Sequence, residues 1–90
     1  MATITLSPNP VPVDQGVDVK IWTTVSSAAR CVVEYSGANW GNADAKLWST
    51  YWYVSPRFSQ PGTTTVRVTF YDSAGNVLDT GLVQLEVRAS

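Results

Sequence analysis

Four tryptophans, four tyrosines and no histidine among 90 residues decide which chemistry is open to this chain. Without histidine the usual general base and metal ligand is missing. Serine–histidine and cysteine–histidine nucleophile pairs cannot be assembled. Paired carboxylates could still serve glycosidic hydrolysis, but Glu34, Asp44 and Glu86 fall on different segments. So short a chain also buries one core and has little left to wall a deep cleft. The expectation is a protein that is not an enzyme. Asp72, Asn76 and Asp79, and separately Asn39, Asn42 and Asp44, offer oxygens that calcium could use. Aspartates around turns more often cap their own backbone, so no metal and no cofactor is expected. The lone Cys31 lies between apolar neighbours and reads as a small buried hydrophobe.

Binding chemistry remains, and the aromatic side chains carry it. Valine, isoleucine, leucine and phenylalanine already supply the inner positions of a small core. In residues 17–25, Val17, Val19, Ile21, Thr23 and Val25 share one face, and Asp18, Lys20, Trp22 and Thr24 share the other. Trp22 is therefore expected outside. Residues 47–54 read as its strand partner, with two open parities. If Trp52 and Val54 face the core, Tyr51 and Tyr53 lie outside beside Trp22; in the opposite register Trp48 and Trp52 lie outside. One of Trp48 and Trp52 is expected to be the buried tryptophan common in sandwiches. Trp40 belongs to a long polar stretch, residues 36–46, read as a loop with a function. Sugar rings present a face of C–H groups that stacks on aromatic rings, each contact contributing about 0.5–1.5 kcal/mol beyond area burial. Candidate ligand-binding residues are thus Trp22, Trp40, Trp48, Trp52, Tyr51, Tyr53, Lys20 and Asn39. Asp18, Asn42, Asp44 and Lys46 are further polar partners.

The elements that must position these groups are strands. Alternating runs at residues 2–6, 17–25, 30–36, 47–54, 64–71, 77–79 and 82–88 are separated by proline, glycine, asparagine and aspartate. Ser7-Pro8-Asn9-Pro10 breaks the first strand, which resumes near Val11–Val13, as suits an edge that crosses from one sheet to the other. About seven short strands without a helical period predict an all-β fold. Its expected form is a two-sheet antiparallel β-sandwich of immunoglobulin-like type, a single module over residues 1–90.

The stretch Phe58-Ser59-Gln60-Pro61-Gly62, followed by Val66 to Tyr71 and Asp72-Ser73-Ala74-Gly75-Asn76, resembles the last third of bacterial immunoglobulin-like and polycystic-kidney-disease-like modules. Those show a Pro-Gly turn, an alternating strand and an Asp-x-x-Gly-Asn hairpin. The resemblance implies the sandwich fold and a place within secreted glycoside hydrolases, cellulosomal proteins, adhesins or phage tail proteins. The aromatic layout resembles non-catalytic carbohydrate-binding modules of plant-cell-wall-degrading bacteria.

Charge narrows the partner. The net charge is −1, from six basic and seven acidic residues, which gives no electrostatic reason to expect nucleic acid or an anionic membrane. No apolar run approaches the ~18 residues of a membrane-spanning helix. Neither a signal peptide nor a tail is visible, so the ends read as boundaries of a module excised from a longer secreted protein. The expected function is non-catalytic binding of a neutral plant-cell-wall polysaccharide, a β-glucan or hemicellulose. The alternative is an immunoglobulin-like protein-interaction or spacer domain of a surface, cellulosomal or phage tail protein.

Overall fold

Branching at Cβ makes valine, isoleucine and threonine stiff and suited to the pleat. The computed structural model of the chain describes residues 1–89 and builds strands, with no helix among them. They are β1 (Thr3–Ser7), β2 (Val11–Pro12), β3 (Asp18–Trp22), β4 (Arg30–Gly37), β5 (Gly41–Trp48), β6 (Tyr51–Val54), β7 (Gly62–Tyr71) and β8 (Val77–Arg88). The protein is all-β.

The expected seven strands in two separate sheets are corrected to eight in one hydrogen-bonded order, β1-β3-β6-β5-β4-β7-β8-β2. The joint is β5. Its residues 41–45 pair with β4, whereas Lys46, Leu47 and Trp48 pair with β6. Residues 36–46 are therefore no long loop but a tight turn followed by a strand. Gly41, Asn42, Ala43 and Asp44 have weak strand preference, and pairing with β4 overrides it. Residues 47–54 are likewise two strands, because Ser49 takes a left-handed backbone (φ 61°) and reverses the chain.

The proline break after β1 does carry the chain across. β1 runs antiparallel to β3, and β2 pairs parallel with β8. The sheet nearly closes on itself where the Ala2 N–H donates to the Thr80 carbonyl at 2.9 Å. Gly81 allows that approach: a Cβ there would lie 3.1 Å from the Ala2 carbonyl oxygen and 3.2 Å from Val68. Residues 77–79 and 82–88, expected as two strands, are one, because the glycine that looks like a break is a close crossing.

Alternate residues of each strand fill the interior. Ile21, Val33, Val66, Val68, Phe70 and Leu85 are fully buried at its centre. Cys31 is buried with them, and burial pushes its thiol up to about 12, so it stays protonated and unreactive near neutral pH. At the β7–β8 hairpin, Asp72 accepts backbone N–H bonds from Asn76 at 2.8 Å and Ala74 at 3.0 Å. These bonds, chiefly that from Asn76, hold its carboxyl below the usual range. Asp79 accepts from the Thr23 hydroxyl at 2.8 Å and pairs with the N-terminal ammonium at 3.3 Å. Both aspartates thus have partners within the protein, and no three acidic or cysteine side chains gather around one point among the described residues.

Candidate functional site

Register decides which rings meet solvent. β3 pairs with β6 as Val19–Val54, Lys20–Tyr53 and Ile21–Trp52. Because Val19 and Ile21 face the core, so do Val54 and Trp52. The Trp52 ring packs edge-on against Phe70, with centroids 5.8 Å apart and planes at 77°. Trp52 is therefore the core tryptophan and leaves the candidate ligand set. Tyr51 and Tyr53 point outward. So does Trp48, which pairs with Tyr51 across the β5–β6 turn and is 67% exposed. Two aromatic residues from the alternative registers thus share one face, since the turn at Ser49 resets the alternation.

Two cross-strand rows result. One runs Trp22, Tyr51, Trp48 and the other Lys20, Tyr53, Lys46. The rings do not form a flat platform. Trp22, half-buried, lies 5.7 Å from Tyr51 at 53°, and Tyr51 lies 6.4 Å from Tyr53 at 68°. The strong twist of short strands tilts neighbouring side chains in this way. The Lys20 ammonium sits 5.0 Å from the Tyr51 ring centroid, a cation–π contact that keeps it beside the aromatic surface. The Tyr53 hydroxyl donates to the Asp18 carboxylate at 2.7 Å, and that bond raises its pKa. Asp18, Lys20, Lys46, Trp48, Tyr51 and Tyr53 line a depression of about 520 Å³.

A second, larger depression of about 880 Å³ adjoins it and shares Lys46 and Tyr53. It opens because β5 leaves β6 at Lys46 to pair with β4. Residues 38–44 form one wall and residues 54–60 the other. Trp40, 86% exposed, lines it. Asp44 is held by Arg30 at 2.8 Å, and the guanidinium keeps its carboxyl below the usual range. Ser55 and Arg57 also enter this wall; nothing in their spacing singles them out in the sequence, because the groove exists only where two paired strands part.

Asn39, expected among the ligand-binding residues, is a structural fastener instead. It is 8% exposed. Its amide donates to the Gln60 carbonyl at 2.8 Å and to the Thr64 hydroxyl at 2.9 Å, and its oxygen accepts the Gln60 N–H at 3.1 Å. These bonds tie the β4–β5 turn to the segment that leads into β7. Beneath the groove, Tyr35 packs edge-on against Phe58 at 4.9 Å. Its hydroxyl is buried with no hydrogen-bond partner, and burial pushes its pKa up to about 12. An unsatisfied buried hydroxyl costs about 1–3 kcal/mol. Tyr35→Phe is therefore expected to leave stability unchanged or raise it by about 1 kcal/mol. Urea unfolding measures this, and a loss of stability would mean that the hydroxyl has a partner.

No protein-family model matches the chain, and no curated protein matches it. Solved structures do. One is the crystal structure of an engineered protein, 21% identical with a TM-score of 0.57, matched over 100% of this chain and 20% of that one. Another is a double mutant of the Cellulomonas fimi endo-β-1,4-mannanase, 24% identical with a TM-score of 0.52, matched over 98% of this chain and 18% of the enzyme. Both likenesses are of fold. The chain spans about a fifth of the length of either protein.

Proposed function

We propose that this chain is a non-catalytic carbohydrate-binding module of immunoglobulin-like type, which holds a β-glucan or hemicellulose chain of neutral backbone. The reading is carried by the outward-facing row Trp22, Tyr51, Trp48, with Trp48 its exposed ring, beside a depression lined by Asp18, Lys20 and Lys46. Aromatic faces meet the C–H faces of sugar rings, and the flanking polar groups meet their hydroxyls. Because the rings are tilted by 53° and 68°, they fit a single soluble chain that twists along the surface better than a flat crystalline one. A binding rather than catalytic role fits the two nearby carboxylates, since Asp18 accepts a tyrosine hydroxyl and Asp44 is held by Arg30. The immunoglobulin-like assignment draws on the first strand, split between β3 and β8. The setting proposed is part of a longer, secreted protein, as the matched region of the mannanase is a minor part of its chain.

The test is calorimetric titration with soluble mixed-linkage glucan, xyloglucan, glucomannan and xylan. Wild-type protein is expected to bind at least one of them, and Trp48→Ala to weaken that binding about tenfold, which corresponds to ~1.4 kcal/mol of lost stacking. Failure of the wild-type protein to bind any of the panel overturns the reading. A protein-interaction role would then be favoured by the β5–β6 tip, where Leu47 (58% exposed) and Trp48 both meet solvent. In that case Trp48→Ala would change association with a protein or a second copy.

A further inference from the structure

Net charge averages over the surface and hides its arrangement. The chain is net negative, yet the row Lys20, Tyr53, Lys46 places two ammonium groups on one face. Among the described residues, neither lies within salt-bridge distance of a carboxylate; the two ion pairs formed are Met1–Asp79 and Arg30–Asp44. Asp44 is paired with Arg30, and Asp18, which lines the same depression, accepts the Tyr53 hydroxyl and keeps its charge, so the depression holds two cationic side chains against one anionic.

Strand spacing sets the scale. With neighbouring strands about 4.8 Å apart, the two lysine backbones stand about 10 Å apart on either side of Tyr53. The aromatic row lies two residues further along the strands, about 7 Å away. A sugar ring stacked on Trp48, the open ring of that row, therefore has the cationic row along its flank. A hydroxyl there meets one ammonium and gains little. A carboxylate there gains from the charge of both ammonium groups, which are acceptor-free and suited to an anion. Lys20 is already held beside Tyr51 at 5.0 Å, so less side-chain freedom is lost when the anion arrives.

We infer that the site selects polysaccharide chains bearing carboxylate substituents, uronic acid groups on a neutral hemicellulose backbone, with Lys20 and Lys46 as the specificity-determining pair. The inference rests on the carbohydrate-binding reading above and refines its ligand class. Total charge governs long-range steering, whereas discrimination is decided by the charges within the site.

The experiment compares three probes on the intact chain by calorimetry: glucuronate-substituted xylan, the same xylan with its carboxyl groups reduced to alcohols, and polyglutamate. Exposed ion pairs are individually weak, so the acidic xylan is expected to bind about three- to tenfold tighter than the reduced form. Raising ionic strength from about 0.01 M to about 0.15 M should shrink that gap, because the pairs face solvent. Lys20→Gln/Lys46→Gln should erase the gap between the two xylans, whatever it does to the affinity they share, and Lys46→Glu should reverse the preference. Equal binding of both xylans by the wild-type protein, or a gap that survives in the double variant, overturns the inference and leaves the carbohydrate reading standing. Polyglutamate binding as tight as acidic xylan overturns it too, since charge alone would then suffice. Failure of the wild-type protein to bind either xylan overturns the inference, whereas the reading on which it rests falls only if mixed-linkage glucan, xyloglucan and glucomannan also fail to bind.

Discussion

Trp52→Ala is expected to lower the unfolding free energy by about 3 kcal/mol, the lower end of the range for removing a large core aromatic. The lower end applies because Trp52 is partly, not wholly, buried. Its ring covers Phe70, itself inaccessible to solvent, and its backbone joins β3 and β5 through β6. A cavity at that point would loosen the half of the sheet that presents Tyr51 and Tyr53. Domains of this size are stable by about 5–15 kcal/mol, so the variant would lose a substantial fraction of that margin. Trp48→Ala, four residues earlier, is expected to cost less than about 1 kcal/mol, as for surface changes generally. Urea unfolding of the two variants side by side checks the assignment. Equal losses would mean that the two tryptophans do not divide between core and surface, and the site would have to be redrawn.

Gly37→Val is expected to destabilise by about 2–4 kcal/mol, combining a disfavoured backbone with overpacking. Gly37 ends β4 with φ at 97°, a conformation that side chains with a Cβ rarely adopt. There is also no room. A Cβ would stand 2.7 Å from the carbonyl oxygen of Thr63, and that oxygen accepts the N–H of Ala38 at 3.1 Å. Relieving the clash would break this bond and strain the Asn39 bonds next to it, so the turn that carries Trp40 would lift. Gly75→Ala provides the control. Gly75 also has a positive φ (87°), but a Cβ there meets nothing within 4 Å, so only the backbone strain of roughly 1 kcal/mol remains. Denaturation midpoints for the pair separate strain from collision, and equal shifts would mean that the Thr63 contact is unimportant.

Much of the fold is legible in the order of residues. The alternation of Val17, Val19 and Ile21 against Asp18, Lys20 and Trp22 places each on its observed face. The run Val66, Val68, Phe70 is likewise fully buried. Asp72 to Asn76 makes the hairpin its composition implies. These features are local: a period of two and the backbone preferences of glycine and asparagine act within a few residues. The proline break after Ser7 is similarly local, because it removes ladder donors whatever surrounds it.

Residues 36–54 resist the same reading for a physical reason. Gly41, Asn42, Ala43 and Asp44 hold no intrinsic strand preference, and they become β5 only because β4 offers them a partner. The reversal at Ser49 then decides that Trp48 and Tyr51 share a face and that Trp52 does not. Asn39 illustrates the converse. A polar residue beside the candidate Trp40 looks like a ligand contact, yet its partners, Gln60 and Thr64, lie 21 and 25 residues away and are met only on folding.

The sequence by itself determined that this protein is all-β, that Trp22 and Lys20 share the outer side of their strand, and that histidine chemistry is closed to it. Tertiary structure alone decided which other rings join them, that β5 leaves β6 to open a groove towards Trp40, and that two lysines flank Tyr53 with no salt bridge to a carboxylate among the described residues. The division follows from range. Side-chain alternation is a property of one strand, whereas register, strand parting and charge pairing depend on which strands meet and where.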